Sequence, residues 1–210
     1  MDRLSTRTIA TQLIRVLGPL LTALIMLGVV APAQAQDSSD DNDTLPEVRV
    51  STTEGAFTVR LRPDIAPLTV ANFLEYVEEG FYDGTVFHRV IPGFMVQGGG
   101  FDKNLNKKTT GDPIVNESRQ TAKNLRGTLA MARTRDPDSA TAQFFVNLVD
   151  NPHLDATASR QGYAVFGTIT EGISVIDAIA RVQTTRAKGM SDVPVDPVII
   201  ESIRLVDDEQ

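Results

Sequence analysis

A mainly β domain, with antiparallel strands closed into a barrel around two helices, is the architecture the sequence predicts. Three observations predict it. About eight short strand-like runs lie beyond Glu47, Phe57–Leu61 among them with apolar residues at period two, and only two segments carry helical spacing. The last strand-like run lies at the very C-terminus, where it can close a sheet and remove its exposed edges. At this level a β-sandwich accounts for the same pattern nearly as well.

The elements follow in order. Arg3, Arg7 and Arg15 precede an apolar stretch from Val16 to Val30, and Ala33-Gln34-Ala35 follows. A basic start, an apolar core and small residues at −3 and −1 are the three parts of a secretory signal, so cleavage after Ala35 is expected. An uncleaved anchor would need about 20 apolar residues and has no use for the Ala-x-Ala site. Losing three Arg and one Asp takes the formal net charge from −7 to −9. Residues 36–45 are rich in Asp, Ser and Asn, cannot bury surface and are expected to form a disordered acidic leader. The folded domain is expected over 46–207.

Within it, Phe57, Val59 and Leu61 alternate with Thr58 and Arg60 as one strand. Pro67, suited to a first helical turn, opens a helix with Val70, Phe73, Leu74 and Val77 on one face, and Gly80 ends it. Further strands are expected at Val86–Ile91, Met95–Gln97, Gly127–Ala132, Phe144–Leu148, Ala164–Ile169 and Val198–Leu205. A second helix is expected near Ile173–Val182. No internal repeat or second domain is visible.

Composition narrows the function. The chain has 210 residues, 41% of them hydrophobic and 22% charged, which fits one packed domain. Its acidity leaves no electrostatic footprint for nucleic acid and disfavours anionic membrane surfaces. With no cysteine, disulfides, thiol catalysis, Cys-based zinc sites and Cys-linked lipid anchors are excluded. Two histidines, His88 and His153, do not make a histidine-rich metal site.

The informative stretch is Phe87-His88-Arg89-Val90-Ile91-Pro92-Gly93-Phe94-Met95-Val96-Gln97-Gly98-Gly99. Gly127-Thr128-Leu129-Ala130-Met131-Ala132-Arg133, Ser139-Ala140-Thr141-Ala142-Gln143-Phe144-Phe145-Val146-Asn147 and Gly162-Tyr163-Ala164-Val165-Phe166-Gly167 follow it in order. In these segments the sequence resembles the cyclophilins, peptidyl-prolyl cis-trans isomerases, over roughly Glu47 to Leu205. The resemblance implies a closed eight-stranded antiparallel barrel capped by two helices, with no cofactor and no metal.

The implied reaction rotates an X–Pro bond against an amide resonance barrier of ~18–20 kcal/mol, a change that takes tens to hundreds of seconds unaided. No bond is made or broken, so nucleophile, metal and proton shuttle are unnecessary. A donor aimed at the prolyl nitrogen is useful, because the nitrogen lone pair is freed only as resonance is lost. By resemblance Arg89 is that donor, always charged and presenting a planar fork. Gln97 would position Arg89 and bind the peptide. Phe94, Met95, Phe145 and Leu154 would form the slot for the proline ring, with Tyr163 at its edge and Gln143 in the segment flooring it. The backbone at Ala132 and Arg133 would pair with the substrate chain.

Other readings of these residues are weaker. His88 resembles a general base, but the reaction moves no proton, so a structural role is expected. Gln97-Gly98-Gly99-Gly100 lacks the Lys-Ser/Thr of a phosphate loop, and Asp136-Pro137-Asp138-Ser139 lacks the spacing of a calcium loop. The sequence departs from the best-known eukaryotic members at three places, one of them Tyr163, where histidine is common and tyrosine is the usual bacterial choice. His153 stands where tryptophan or phenylalanine is common, which is expected to weaken cyclosporin binding. Arg133 stands where asparagine is common and is expected to favour acidic neighbours of the proline. A catalytically weak binding or holdase module on the same barrel is one competing reading, which intact Arg89, Gln97 and Phe145 argue against. A surface adhesin or signalling ligand using the acidic leader Asp37–Asp43 is another. The expected partners are proline-containing, unfolded or flexible exported polypeptides, met by a monomer in the periplasm with no stable membrane association after cleavage.

Overall fold

The computed structural model describes residues 45–206. The expected secretory signal and nearly all of the expected acidic leader lie outside the described residues, as does the last residue expected in the domain. Strands β1 (Glu47–Thr52) and β2 (Gly55–Leu61) form a hairpin, with Glu47 opposite Arg60 and Thr52 opposite Gly55. Helix α1 (Pro67–Glu78) follows, then β3 (Thr85–Ile91), β4 (Met95–Asp102), β5 (Thr128–Met131), β6 (Phe144–Asn147) and β7 (Val165–Glu171). Helix α2 (Ile173–Ile179), a ribbon of β8 (Thr184–Ala187) and β9 (Met190–Pro194), and β10 (Ile199–Leu205) complete the chain. Eight strands close in the order β1-β10-β3-β4-β6-β5-β7-β2, every neighbouring pair antiparallel. The C-terminal β10 is the keystone between β1 and β3, which settles the barrel against the sandwich.

The interior is full. Val70, Phe73, Tyr76 and Val77 of α1 and Ile176 and Ile179 of α2 join Phe57, Val59, Leu61, Val96, Met131, Phe144 and Phe166 in one buried cluster. Phe73 lies at its centre, 5.1–5.8 Å from the rings of Tyr82, Phe144 and Phe166. Each such aromatic pair adds about 0.5–1.5 kcal/mol beyond area burial. A barrel packed in this way has no room for a peptide, so any binding site must lie on its outside.

Strand β4 continues past the expected Gln97 to Asp102, and two further elements differ from the expectation. Helix α2 ends at Ile179 because its tail tightens into i→i+3 turns, with Arg181 N donating to Ala178 O and Val182 N to Ile179 O. The β8–β9 ribbon was not expected at all. Thr184–Ala187 is largely exposed, Met190–Pro194 buries only its Val193-Pro194 end, and neither shows a clear apolar alternation. Its two-residue turn, with φ 47° at Lys188 and 79° at Gly189, uses lysine where asparagine or aspartate is the usual signal.

Candidate active site

Alternation along the strands sorts each pair of neighbours between the core and an outer face. Val96, Leu129, Met131, Phe144 and Val146 enter the interior cluster. Their neighbours Met95, Ala130 and Phe145 belong to a second, smaller cluster with Leu154 and Val165, against which Phe94, Ala132 and Tyr163 pack. The second cluster lies across β4, β6 and β5 on the outer face, and it is the floor of the site.

Arg89 reaches that face through a break in period two. Phe87 is interior, so strict alternation would also turn Arg89 inward. The β3–β4 register shifts instead: Phe87 faces Gly98, whereas Arg89 faces Gln97. His88 is therefore the extra residue of a bulge, a device that re-aims side chains beside active sites. Gly98 makes the arrangement possible, since a Cβ there would stand 2.8 Å from Cδ1 of Phe87. The next turn is equally determined. Pro92 and Gly93, the latter at φ 72°, occupy the centre of a turn closed by Phe94 N donating to Ile91 O at 3.1 Å. Proline followed by a positive-φ glycine is the type II pattern, and it delivers Phe94 to the rim.

The result is a cleft of about 110 Å3. Phe94, Met95, Phe145, Leu154 and Tyr163 give it an apolar lining, and Arg89, Gln97, Ala132 and Arg133 border it. Of the ten positions singled out in the sequence, Gln143 alone stands outside the lining. It borders an adjoining cavity with Arg89 and Gln97 and accepts a hydrogen bond from Gln97 Nε2 at 3.0 Å. Gln97 thus gives its Nε2 to Gln143, while its Oε1, the atom able to accept from an arginine, makes no hydrogen bond to Arg89 in this geometry. Gly100 leaves the necessary clearance, because a Cβ there would fall 2.4 Å from Cγ of Gln143.

The two arginines differ. Arg133 is tied down: its guanidinium donates to the carbonyl oxygens of Thr134, Gln161 and Gly162 at 3.0–3.3 Å and lies 4.5 Å from the Tyr163 ring centre. Tyr163 in turn meets Phe145 edge-on at 5.5 Å. Arg89 forms no hydrogen bond to another described side chain, and its nearest opposite charge is Asp192, 3.9 Å from Nε. The backbone N–H of Ala132 already donates to Gln143 O at 2.9 Å, so it is not the group free to pair with a substrate chain.

Three asparagines that the sequence reading passed over hold the far wall. Asn151 Nδ2 donates to Phe94 O at 3.0 Å and to Asn147 Oδ1 at 2.8 Å. Asn147 donates to Thr128 Oγ1, and Asp155 accepts from the backbone N of Asn124. Asn151 O also receives Leu154 N, and Leu154 O receives Tyr163 N, so one buried network sets Phe94, Leu154 and Tyr163 together. Asn147 interrupts the apolar run Phe144–Leu148, but Asn124 and Asn151 lie in polar segments that give no such signal. His153 stacks on Phe94 at 5.4 Å and stays exposed at the rim. His88 is buried against Phe101, and burial pushes its pKa down to about 4. An imidazole so poorly protonated fits the structural role expected of it.

Comparison with known proteins gives the geometry its family. The model of the cyclophilin type peptidyl-prolyl cis-trans isomerases matches residues 47–205. Peptidyl-prolyl cis-trans isomerase A of Dickeya dadantii is 44% identical over 192 residues, 91% of this chain and 97% of the relative. Peptidyl-prolyl cis-trans isomerase B of Escherichia coli is 50% identical over 159 residues, 74% of this chain and 97% of the relative. Among solved structures, a Cryptosporidium parvum cyclophilin type isomerase aligns with a TM-score of 0.67 at 26% identity, covering 78% of this chain and 99% of its own. That protein was also solved in the presence of the dipeptide Ala-Pro. An outer-face apolar cleft on a closed eight-stranded barrel, within a chain matched along its whole folded length, leads to one conclusion: the chain belongs to the cyclophilin family and is a peptidyl-prolyl cis-trans isomerase.

Proposed function

We propose that this isomerase acts on flexible, proline-containing polypeptides exported with it, assisting their folding, and that Arg89 supplies the donor to the prolyl nitrogen. The observation that carries the role of Arg89 is the contrast between the two arginines at the cleft. Arg133 is committed to three carbonyls, whereas the Arg89 guanidinium donates no hydrogen bond among the described residues, leaves its Nη groups open and is half exposed. A donor has to be free when the lone pair appears, and Arg89 meets that condition.

The cleft has the size of its task. An apolar cavity of about 150 Å3 accommodates benzene, and about 110 Å3 between Phe145, Met95 and Leu154 suits a single five-membered ring. Seating the ring fixes the prolyl side, so the preceding carbonyl is the part that turns. As the C–N bond loses double-bond character, the nitrogen gains a lone pair and accepts from the guanidinium. The interaction exists only near the top of the barrier, so it lowers the barrier instead of tightening ground-state binding. Ala-Pro, present with the Cryptosporidium relative, contains the fragment this cleft would take.

Removing a donor of this kind costs about 10²–10³ in turnover. Arg89→Ala is expected to lower kcat/KM for an Ala-Pro peptide by about 10²-fold, measured as cis-trans exchange by protease-free NMR. Arg133→Ala is expected to stay within about tenfold. A folded Arg89→Ala protein as fast as its parent would refute the assignment.

A further inference from the structure

Arg89 lacks the partner expected to hold it. It faces Gln97 across β3 and β4, yet no hydrogen bond joins the two side chains; Gln97 Nε2 donates to Gln143. A long, half-exposed side chain without a tether loses productive time to other rotamers. The adjoining cavity of about 420 Å3, between barrel and ribbon, gives the guanidinium room to leave the cleft.

One group stands against that loss. Asp192, on β9, places Oδ2 3.9 Å from Arg89 Nε, and in this geometry Arg89 lines the proline cleft. The carboxylate approaches Nε most closely, which leaves the Nη groups uncommitted. Its position is built into the ribbon. Thr185 faces Val193 and Ala187 faces Met190, so Ser191 and Asp192 together oppose Arg186. This is a second bulge, and Asp192 in it adopts φ 62°, a left-handed conformation that aspartate and asparagine tolerate better than most residues. Two bulges, in two separate sheets, thus re-aim one residue each, and the two residues meet.

We infer that Asp192 is a positioning residue for Arg89, holding its guanidinium at the cleft by an ion pair from the β8–β9 ribbon. The inference rests on the reading of Arg89 as the donor. Both side chains are substantially exposed, 45% and 42%, so the effect is modest. An exposed pair of this kind supports a change of about two- to fivefold.

The full chain is compared with Asp192→Asn, Arg89→Ala and the double variant, using an uncharged Ala-Pro peptide and NMR exchange. Asparagine keeps the left-handed backbone and removes only the charge. At low salt Asp192→Asn is expected to lower kcat about two- to fivefold with KM unchanged. At 1 M salt, where screening acts over about 3 Å, the deficit should shrink. In the Arg89→Ala background the same substitution should change nothing. An unchanged kcat for Asp192→Asn beside a crippled Arg89→Ala overturns the positioning role alone. So does an equal fall in the Arg89→Ala background. A fully active Arg89→Ala protein overturns the donor assignment and this inference with it.

Discussion

His88 shows how the bulge that serves Arg89 constrains its neighbour. The extra residue of a bulge has no place in the ladder, and here its ring is packed on Phe101 with Nδ1 buried and unpartnered. Burial is the chief cause of the drop from 6.5 to about 4; the Val86 carbonyl opposes it and the charge of Arg89 adds to it. Because the folded state binds the proton less readily than the unfolded chain, stability is complete above about pH 6.5. It falls as the pH drops toward 4, by up to about 3 kcal/mol from this residue. Urea midpoints at pH 7 and pH 4.5 should therefore separate more for the parent than for His88→Gln. Equal separation in the two proteins would contradict the buried, neutral imidazole. At this scale the site was legible where its residues are contiguous, as from Arg89 to Gln97. Asp192 was not legible, because nothing in a polar ribbon announces that its one bulge points at a distant strand. The rigidity of Arg133 was also hidden, since its partners are backbone carbonyls that any residues would present.

Helix α1 illustrates the same limit for an element. Its apolar spacing and Pro67 revealed the helix, but Ala66 offers no side-chain cap. The orphan N–H groups are met from afar: Glu117 accepts from Leu68 N at 3.2 Å, Thr69 N at 2.7 Å and Thr69 Oγ1 at 2.7 Å. A carboxylate there also faces the positive end of the helix dipole. Removing an N-terminal cap costs about 0.5–2 kcal/mol, so Glu117→Ala is expected to lower unfolding free energy by about that amount without touching the cleft. Chemical denaturation checks the loss, and unchanged exchange kinetics check that it is confined to the helix. Capping across a long loop leaves no local spacing to read. The strands were easier: from Phe57 to Leu61, and again from Phe144 to Leu148, alternation or apolarity within a short run is itself the message.

For the whole molecule, closure was the step beyond strand spacing. Periodicity left barrel and sandwich level, and only the pairing of β10 with both β1 and β3 decides between them. The arginine-rich start, the apolar run and Ala33-Gln34-Ala35 belong to this scale too. Export is expected to remove residues 1–35, so N-terminal sequencing of the protein recovered outside the cytoplasm should begin at Gln36. Recovery of the intact Met1 terminus from the cytoplasm would refute the export proposal. The protein so released would carry net charge −9, which disfavours an anionic surface.

The sorting of neighbours between interior and outer face has an evolutionary corollary. Phe144 and Phe145 are adjacent in the chain, yet one answers to the stability of the barrel and the other to the ring it receives. Selection can therefore retune which clients are served by changing alternate residues of β4, β5 and β6, while those between them stay under a separate pressure to keep the fold. A family built on this plan can diversify its clientele without renegotiating its architecture.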